Sequence, residues 1–456
     1  MHSAPRLIQF IAVAVVFLCG YAKADTPIKV FILAGQSNME GKGRVETGNG
    51  GVAGAIGSLR YQVNNDPANY GHLVDGGGAW VTRSDVWVWS TTNSGEKGNL
   101  TVGFGTDAYI GPELGFGNVM GNVYDEPVLL IKAAWGGKSL AVDFRPPSSG
   151  GTVGPSYNDI LSTVSNVLAN LGTEFPGYHG QGYQIVGFGW HQGWNDRVNS
   201  AYVAEYEQNM ANFIRDIRDD LHAPGLPFVI ATTGMGGWAE TNTRALALMD
   251  AQLAMADPAK YPEFEGNVAV VDTRDFWRTK DVSPIDQNYH WNGNGETYYL
   301  IGDSMGDAMK TLPYEPPPYY PLGDLNLDGA VSGLDWMIFI AANHADLSGL
   351  TEQQAYLLGD LDGDLDNDIY DFALFREAYE AAHPAPGAFE AMVASVSEPT
   401  SMLLLAAGAA AFGMRRKKRA RQVHTSPWDR SDRSTVPPLA NPGGDVHSTI
   451  FYRRNS

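Results

Sequence analysis

Gly35-Gln36-Ser37-Asn38-Met39-Glu40-Gly41 directly follows the apolar run Val30-Phe31-Ile32-Leu33-Ala34. That run has the length and the β-branched and aromatic content of a buried strand. A serine on a glycine-flanked turn at a strand's end can project its hydroxyl and aim its own N–H at a substrate oxygen. The same residues would also suit a helix cap. Two further apolar runs end in comparable clusters, Trp135-Gly136-Gly137 and His191-Gln192-Gly193. Hydroxyl attack on an ester needs a nucleophile, a base to take its proton, and donors for the oxyanion. Ser37 offers the first. The backbone N–H groups of Ser37 and Gly137 and the side-chain amide of Gln192 offer the last, and glycine at 136 and 137 lets the backbone come close.

The base follows by elimination among ten histidines. His2 falls in an N-terminal leader, and His344, His383, His424 and His447 lie beyond a proline-rich linker. His222 follows a helix, and His72 and His179 sit in Gly-rich loops. His191 and His290 remain. His290, in Gln287-Asn288-Tyr289-His290-Trp291-Asn292-Gly293-Asn294-Gly295, comes after the last strand and before a closing helix. It is the preferred base. His191, beside a proposed oxyanion donor, is the alternative, and could instead line the pocket or orient substrate.

These residues must be positioned by the elements that carry them. Strand-like runs recur at 30–34, 128–135, 183–190, 227–233 and 267–272, with helical periodicity at 157–171, 201–222, 243–256 and 295–311. Alternating strands and helices predict a parallel sheet covered on both faces. Five strands fit a flavodoxin-like doubly wound order, in which sites form at the carboxyl ends of the strands. A Gly-, Asn- and Trp-rich insertion from about 42 to 112 interrupts the rhythm. The alternation Val86-Trp87-Val88-Trp89 predicts a short hairpin there. At least one of Trp80, Trp87 and Trp89 is expected in the core, and an exposed one would offer a flat face to a sugar ring.

Four blocks together resemble the sialate O-acetylesterase-like carbohydrate esterases, carbohydrate esterase family six of the SGNH hydrolase superfamily. They are Gly35 to Gly41, Gly111-Pro112-Glu113-Leu114-Gly115-Phe116-Gly117, Trp135-Gly136-Gly137-Lys138-Ser139 and Trp190-His191-Gln192-Gly193. The resemblance covers roughly residues 28–312. It implies a three-layer α/β/α sandwich, Ser37 as nucleophile, His290 as base, and oxyanion donors at Ser37, Gly136, Gly137 and Gln192. Such families often carry an aspartate three residues before the histidine, where this chain has Gln287. Asp286 is then the nearest carboxylate that could orient the imidazole, a backbone carbonyl being the other option. Gly193-Trp194-Asn195-Asp196 fits the superfamily's Gly-x-Asn-Asp block and makes Asn195 a rival donor to Gln192. No cofactor is implied for catalysis.

Beyond the linker at 314–321, residues 323–335 and 359–371 align without gaps. In the first loop Asp324, Asn326, Asp328, the Ala330 carbonyl, Ser332 and Asp335 fall at the ligand positions of an EF-hand loop; in the second, Asp360, Asp362, Asp364, Asp366, Asp368 and Asp371 do. Leu365 occupies the second loop's glycine position. An aromatic-bearing helix is expected after each loop, at 336–342 and 372–381. The pair resembles type I dockerin repeats, which implies a small all-α calcium-binding module over 322–384 and a possible cohesin-type partner. Residues 385–395 read as a second linker.

The ends carry targeting signals. Residues 1–24 read as a secretory leader: Arg6, an apolar stretch, then Ala22-Lys23-Ala24. Cys19, the only cysteine, would leave with it. At 396–421, a short motif around Glu398-Pro399, an apolar stretch and Arg415-Arg416-Lys417-Lys418-Arg419 together resemble a PEP-CTERM sorting signal. Its apolar stretch is short for a full membrane span, and membrane contact is expected only there. Residues 422–456 read as a disordered tail. A formal net charge of −20 argues against nucleic acid as the partner. The expectation is an exported, cell-surface or extracellular serine esterase acting on acetylated carbohydrate. A lipase or thioesterase would share the machinery but need a long apolar groove. A non-catalytic carbohydrate-binding protein is the third reading, resting on the missing aspartate at 287.

Overall fold

The computed structural model describes residues 26–175, 177–179, 181–316, 321–327, 329–350, 352–383 and 385–396. The expected leader, the sorting segment beyond Val396, the tail, part of the proline-rich linker and Asp328 lie outside the described residues.

The sheet has seven strands rather than the five expected: β1 (Ile28–Gly35), β2 (Arg83–Ser90), β3 (Glu96–Leu100), β4 (Val128–Ala134), β5 (Tyr183–His191), β6 (Phe228–Ala231) and β7 (Val268–Val271). Their order is β3-β2-β4-β1-β5-β6-β7. The five expected strands keep the doubly wound order among themselves, with β4 and β5 flanking β1. The other two come from the insertion. Its hairpin forms, β2 against β3, but β2 also pairs in parallel with β4 and so extends the sheet. Glu96-Lys97-Gly98-Asn99-Leu100 shows no apolar alternation because β3 is an edge strand, where polar residues discourage further pairing.

Both faces of the sheet are covered, so alternate residues of β1 enter different cores. Val30, Ile32 and Ala34 face a layer built from helices Pro155–Ala169, Ser200–Asp220 and Thr243–Leu253. Phe31 and Leu33 face helices Glu113–Val123 and Gly295–Met309. Trp87 is buried, stacked on Phe175 at 5.1 Å, so it packs as core. The helix that returns the chain to the sheet starts cleanly, because the Asn294 side chain accepts from the Thr297 N–H.

Residues 321–396 form helices Gly333–Ala341, Glu352–Tyr356, Ile369–Ala382 and Ala388–Ser395 around Leu325, Val331, Phe339, Phe375 and Phe389. The first and third start a few residues earlier than expected because Ser332/Asp335 and Asp368/Asp371 form capping boxes. Residues 385–395 are not a linker: Phe389 and Met392 of the last helix are buried in the same core.

Candidate active site and acidic loop pair

The turn that carries Ser37 depends on one glycine. Gly35 has φ +154°, and a Cβ there would lie 2.3 Å from the His191 carbonyl oxygen. No other residue fits this crossing between β1 and β5. Ser37 then opens a single helical turn, Ser37–Glu40. Its Oγ lies 3.0 Å from His290 Nε2. The histidine is carried by Asn288–Gly293, where Trp291 and Asn292 both take positive φ. Asn38 ties this loop to the Ser37 turn. Its Nδ2 donates to the Tyr289 carbonyl at 3.1 Å, and its Oδ1 accepts from the Tyr298 hydroxyl at 2.7 Å.

His290 Nδ1 faces the Gln287 side-chain oxygen at 3.4 Å. With Nε2 turned to the serine hydroxyl, the ring proton sits on Nδ1 and points at that oxygen. Asp286 is elsewhere: its side chain is 73% exposed and pairs with Lys280 at 3.4 Å. The carboxylate expected to orient the imidazole is therefore replaced by the carboxamide one residue along, which the turn directs inward. Burial, with Lys42 adding to it, lowers the His290 pKa to about 4. Its imidazole is neutral at pH 7 and free to accept a proton.

His191 is buried, its Nδ1 donating to the Ala231 carbonyl at 3.2 Å, and burial lowers its pKa to about 4. It lies in the core behind the site, facing the Trp291 ring.

The sequence-expected oxyanion donors divide. The Ser37 and Gly137 N–H groups have no hydrogen-bond partner among the described residues. Gly137 takes φ +72° in open space. Gly136 is committed: its N–H donates to Glu40 Oε1 at 2.9 Å. Gln192 is committed as well, its Nε2 donating to the Lys138 carbonyl at 2.9 Å and to Asp196 Oδ2 at 2.6 Å. Both expectations are corrected on the same ground, since a donor already spent inside the protein cannot serve an oxyanion. Asn195 keeps its side-chain amide unengaged among the described residues. Its backbone N–H, with that of Gly193, donates to Gln36 Oε1.

Sequence reasoning missed Gln36, Asn38, Glu40 and Gln287 as positioning residues. Three of them are polar neighbours of Ser37 in a segment that must be buried, a signal that they have internal partners. Asp196 completes the network. Fully buried, it accepts from the N–H groups of Leu140 and Ala141 and from Gln192, and burial raises its pKa to about 6.

In the acidic loops the hydrogen bonds repeat at the 36-residue spacing. Asp335 accepts from the N–H groups of Leu325, Asn326 and Ser332; Asp371 accepts from those of Leu361, Asp362 and Asp368. Leu365 takes φ +68° where Gly329 takes φ +91°. Carboxylate oxygens of Asp360, Asp362 and Asp371 lie within 4.8 Å of one another, as do those of Asp364, Asp366 and Asp371. This oxygen-only set fits a hard divalent cation. Asp324 is buried at the matching first position.

A family model described as carbohydrate esterase, sialic acid-specific acetylesterase, matches residues 27–310. A second, the PEP-CTERM protein-sorting motif, matches residues 395–417. Among curated proteins none matches. Of solved structures, a protein from Arabidopsis thaliana is 19% identical with a TM-score of 0.40, the match covering 62% of this chain and 98% of that one. A carbohydrate acetylesterase from Xanthomonas citri is 14% identical with a TM-score of 0.38, covering 61% of this chain and 56% of that one. NanS is 15% identical with a TM-score of 0.37, covering 62% and 98%. Among the described residues no helix is long and apolar enough to cross a membrane.

Proposed function

We propose, from the premise that the chain belongs to the carbohydrate esterase family of sialic acid-specific acetylesterases, that it removes O-acetyl groups from carbohydrate through an acetyl-Ser37 intermediate. The observation that carries this is the 3.0 Å approach of His290 Nε2 to Ser37 Oγ. Ser37 Oγ attacks the acetyl carbonyl while His290 Nε2 takes its proton. The oxyanion is met by the N–H groups of Ser37 and Gly137 and by the Asn195 amide. The sugar hydroxyl leaves with the proton returned from His290. Water, activated by the same imidazole, then releases acetate and restores Ser37. Gln287 holds the imidazole's tautomer, and Glu40 fixes the 136–137 turn. Neither lipase-like nor non-catalytic readings gain a specific observation.

The sorting motif supports export to the cell surface. The acidic loops support calcium binding through Asp324, Asn326, Asp328, Ser332 and Asp335, with the Ala330 carbonyl, and through Asp360, Asp362, Asp364, Asp366, Asp368 and Asp371. There the ion would stabilise the helical segment and take no part in hydrolysis. A cohesin-type protein is the partner such a segment would dock.

Acetate release by Ser37→Ala and His290→Ala tests the core of the reading. Each should lower kcat at least about 10³-fold on an acetyl ester, with the remaining rate supplied by the oxyanion donors. His191→Ala should leave most of the activity in protein that folds. Near-normal acetate release by Ser37→Ala would overturn the proposal.

A further inference from the structure

Trp238 is 66% exposed, yet it is not loose. It stands in the turn Gly237–Ala239 that follows β6. Its Nε1 donates to Asp275 Oδ1 at 2.7 Å, and the Arg274 guanidinium covers one face of the ring at 3.8 Å. Arg274 is in turn held by Asp272. An indole fixed along one edge and one face presents its other face to solvent with little entropy left to lose on binding.

A two-residue step along the chain and then a series of contacts lead from this ring to His290. Glu240, two residues on, lies 3.8 Å from Arg197. The Arg197 guanidinium sits 3.3 Å over the Trp194 ring, and Trp194 is 5.9 Å from Tyr289. Tyr289, 39% exposed, is 4.5 Å from the His290 ring. Trp194 follows β5, Trp238 follows β6, and Arg274 and Asp275 follow β7, so the series runs along the carboxyl edge of the sheet where Ser37 sits. The proposed reaction uses neither Trp194 nor Trp238.

We propose that this row is a binding strip for a carbohydrate chain: one sugar ring near the acetylated unit lies against Tyr289, and another stacks on the open face of Trp238. Aromatic faces suit the apolar C–H side of a sugar ring, and Asp275, Glu240 and Arg197 beside them suit its hydroxyls. β6 lies two strands from β1 in the sheet order, about 10 Å at the usual inter-strand spacing. A ligand that covers both Tyr289 and Trp238 needs more than one sugar ring, so it is an oligosaccharide or polysaccharide. This inference rests on the esterase reading above.

Trp238→Ala and Trp238→Phe in the full chain test it, with 4-nitrophenyl acetate, acetylated xylan, acetylated glucomannan and acetylated monosaccharides as probes. Trp238→Ala should leave 4-nitrophenyl acetate kinetics unchanged. On the polysaccharide that the wild type deacetylates, it should raise KM at least about fivefold with kcat within about twofold, and Trp238→Phe should recover most of the loss. Unchanged KM on that polymer would overturn the strip. So would a wild-type enzyme that deacetylates monosaccharides but no polymer, or a Trp238→Ala defect equal on 4-nitrophenyl acetate. Failure of the esterase reading is a separate result, namely 4-nitrophenyl acetate hydrolysis that survives Ser37→Ala.

Discussion

A carboxamide, not a carboxylate, stands beside the His290 imidazole. A carboxylate there would fix the tautomer and also stabilise the imidazolium formed during attack. Gln287 can do the first, and contributes only a partial charge to the second. Burial, then Lys42, already lowers the His290 pKa to about 4. As a base His290 must be neutral, so kcat/KM should fall only as pH drops through that value and stay level from about pH 5 to neutrality. Gln287→Glu adds a negative charge at Nδ1, raises the imidazole pKa and should move the acidic limb to higher pH. A limb that stays in place would show that residue 287 does not face the ring. Asp286→Asn, by contrast, should change kcat by less than about twofold, because an exposed carboxylate paired with Lys280 has nothing to orient. The donors separate by the quantity they affect. Asn195→Ala should lower kcat about 10²–10³-fold with the fold intact. Gln192→Ala should instead lower stability, by about 1–3 kcal/mol, since it strips a buried carboxylate of a donor; urea midpoints and kcat measured on both variants distinguish them. The meeting of Ser37 and His290 was legible because strand ends and elimination point to those two residues. Gln192 was misread because sequence shows that an amide is present but not whether its protons are already spent, and only the contact with Asp196 reveals that.

At the scale of elements, the five central strands were legible from unbroken apolar runs, which both-face burial requires. The two added strands were not, because an edge strand need not be apolar and joining a hairpin to a sheet leaves no local mark. One residue inside those runs breaks the rule. Lys132, in the middle of β4, is completely buried beside Glu113 at 2.9 Å. Its Nζ also donates to the carbonyls of Phe104 and Glu40, while the second Glu113 oxygen accepts from the Gly111 N–H. The pair thus ties the Gly111–Gly117 block and the nucleophile turn to the sheet, which gives that block a structural role. Burial lowers the Lys132 pKa, opposed by Glu113. Lys132→Met would strand a buried carboxylate and should cost about 3–5 kcal/mol. Adding Glu113→Gln should recover part of that. A single variant as stable as wild type in urea would show that Glu113 simply takes up a proton or reaches water.

For the whole molecule, the esterase domain and the helical segment after it answer to different conditions. The esterase core is held by buried apolar surface on two faces of a sheet. The 321–396 segment has a smaller core, and its second loop crowds carboxylates around Asp371. Burial raises the pKa of both Asp362 and Asp366, and neighbouring aspartates add a smaller repulsion that a cation would relieve. Calcium should therefore protect residues 321–396 of the full chain against proteolysis and amide exchange, and chelation should remove that protection while acetate release continues. Each loop carries one leucine in a left-handed turn where the other has glycine: Leu365 against Gly329, and Leu327 against Gly363. Leu365 holds a left-handed turn that Gly329 adopts without strain, a cost of roughly 1–2 kcal/mol for a residue with a Cβ. Leu365→Gly should remove that cost and tighten one of two calcium sites about five- to thirtyfold in titration calorimetry, leaving the other unchanged. Equal protection with and without calcium would sink the metal assignment. Protection by calcium with no gain from Leu365→Gly would show that the strain at residue 365 is the same in the free and bound states.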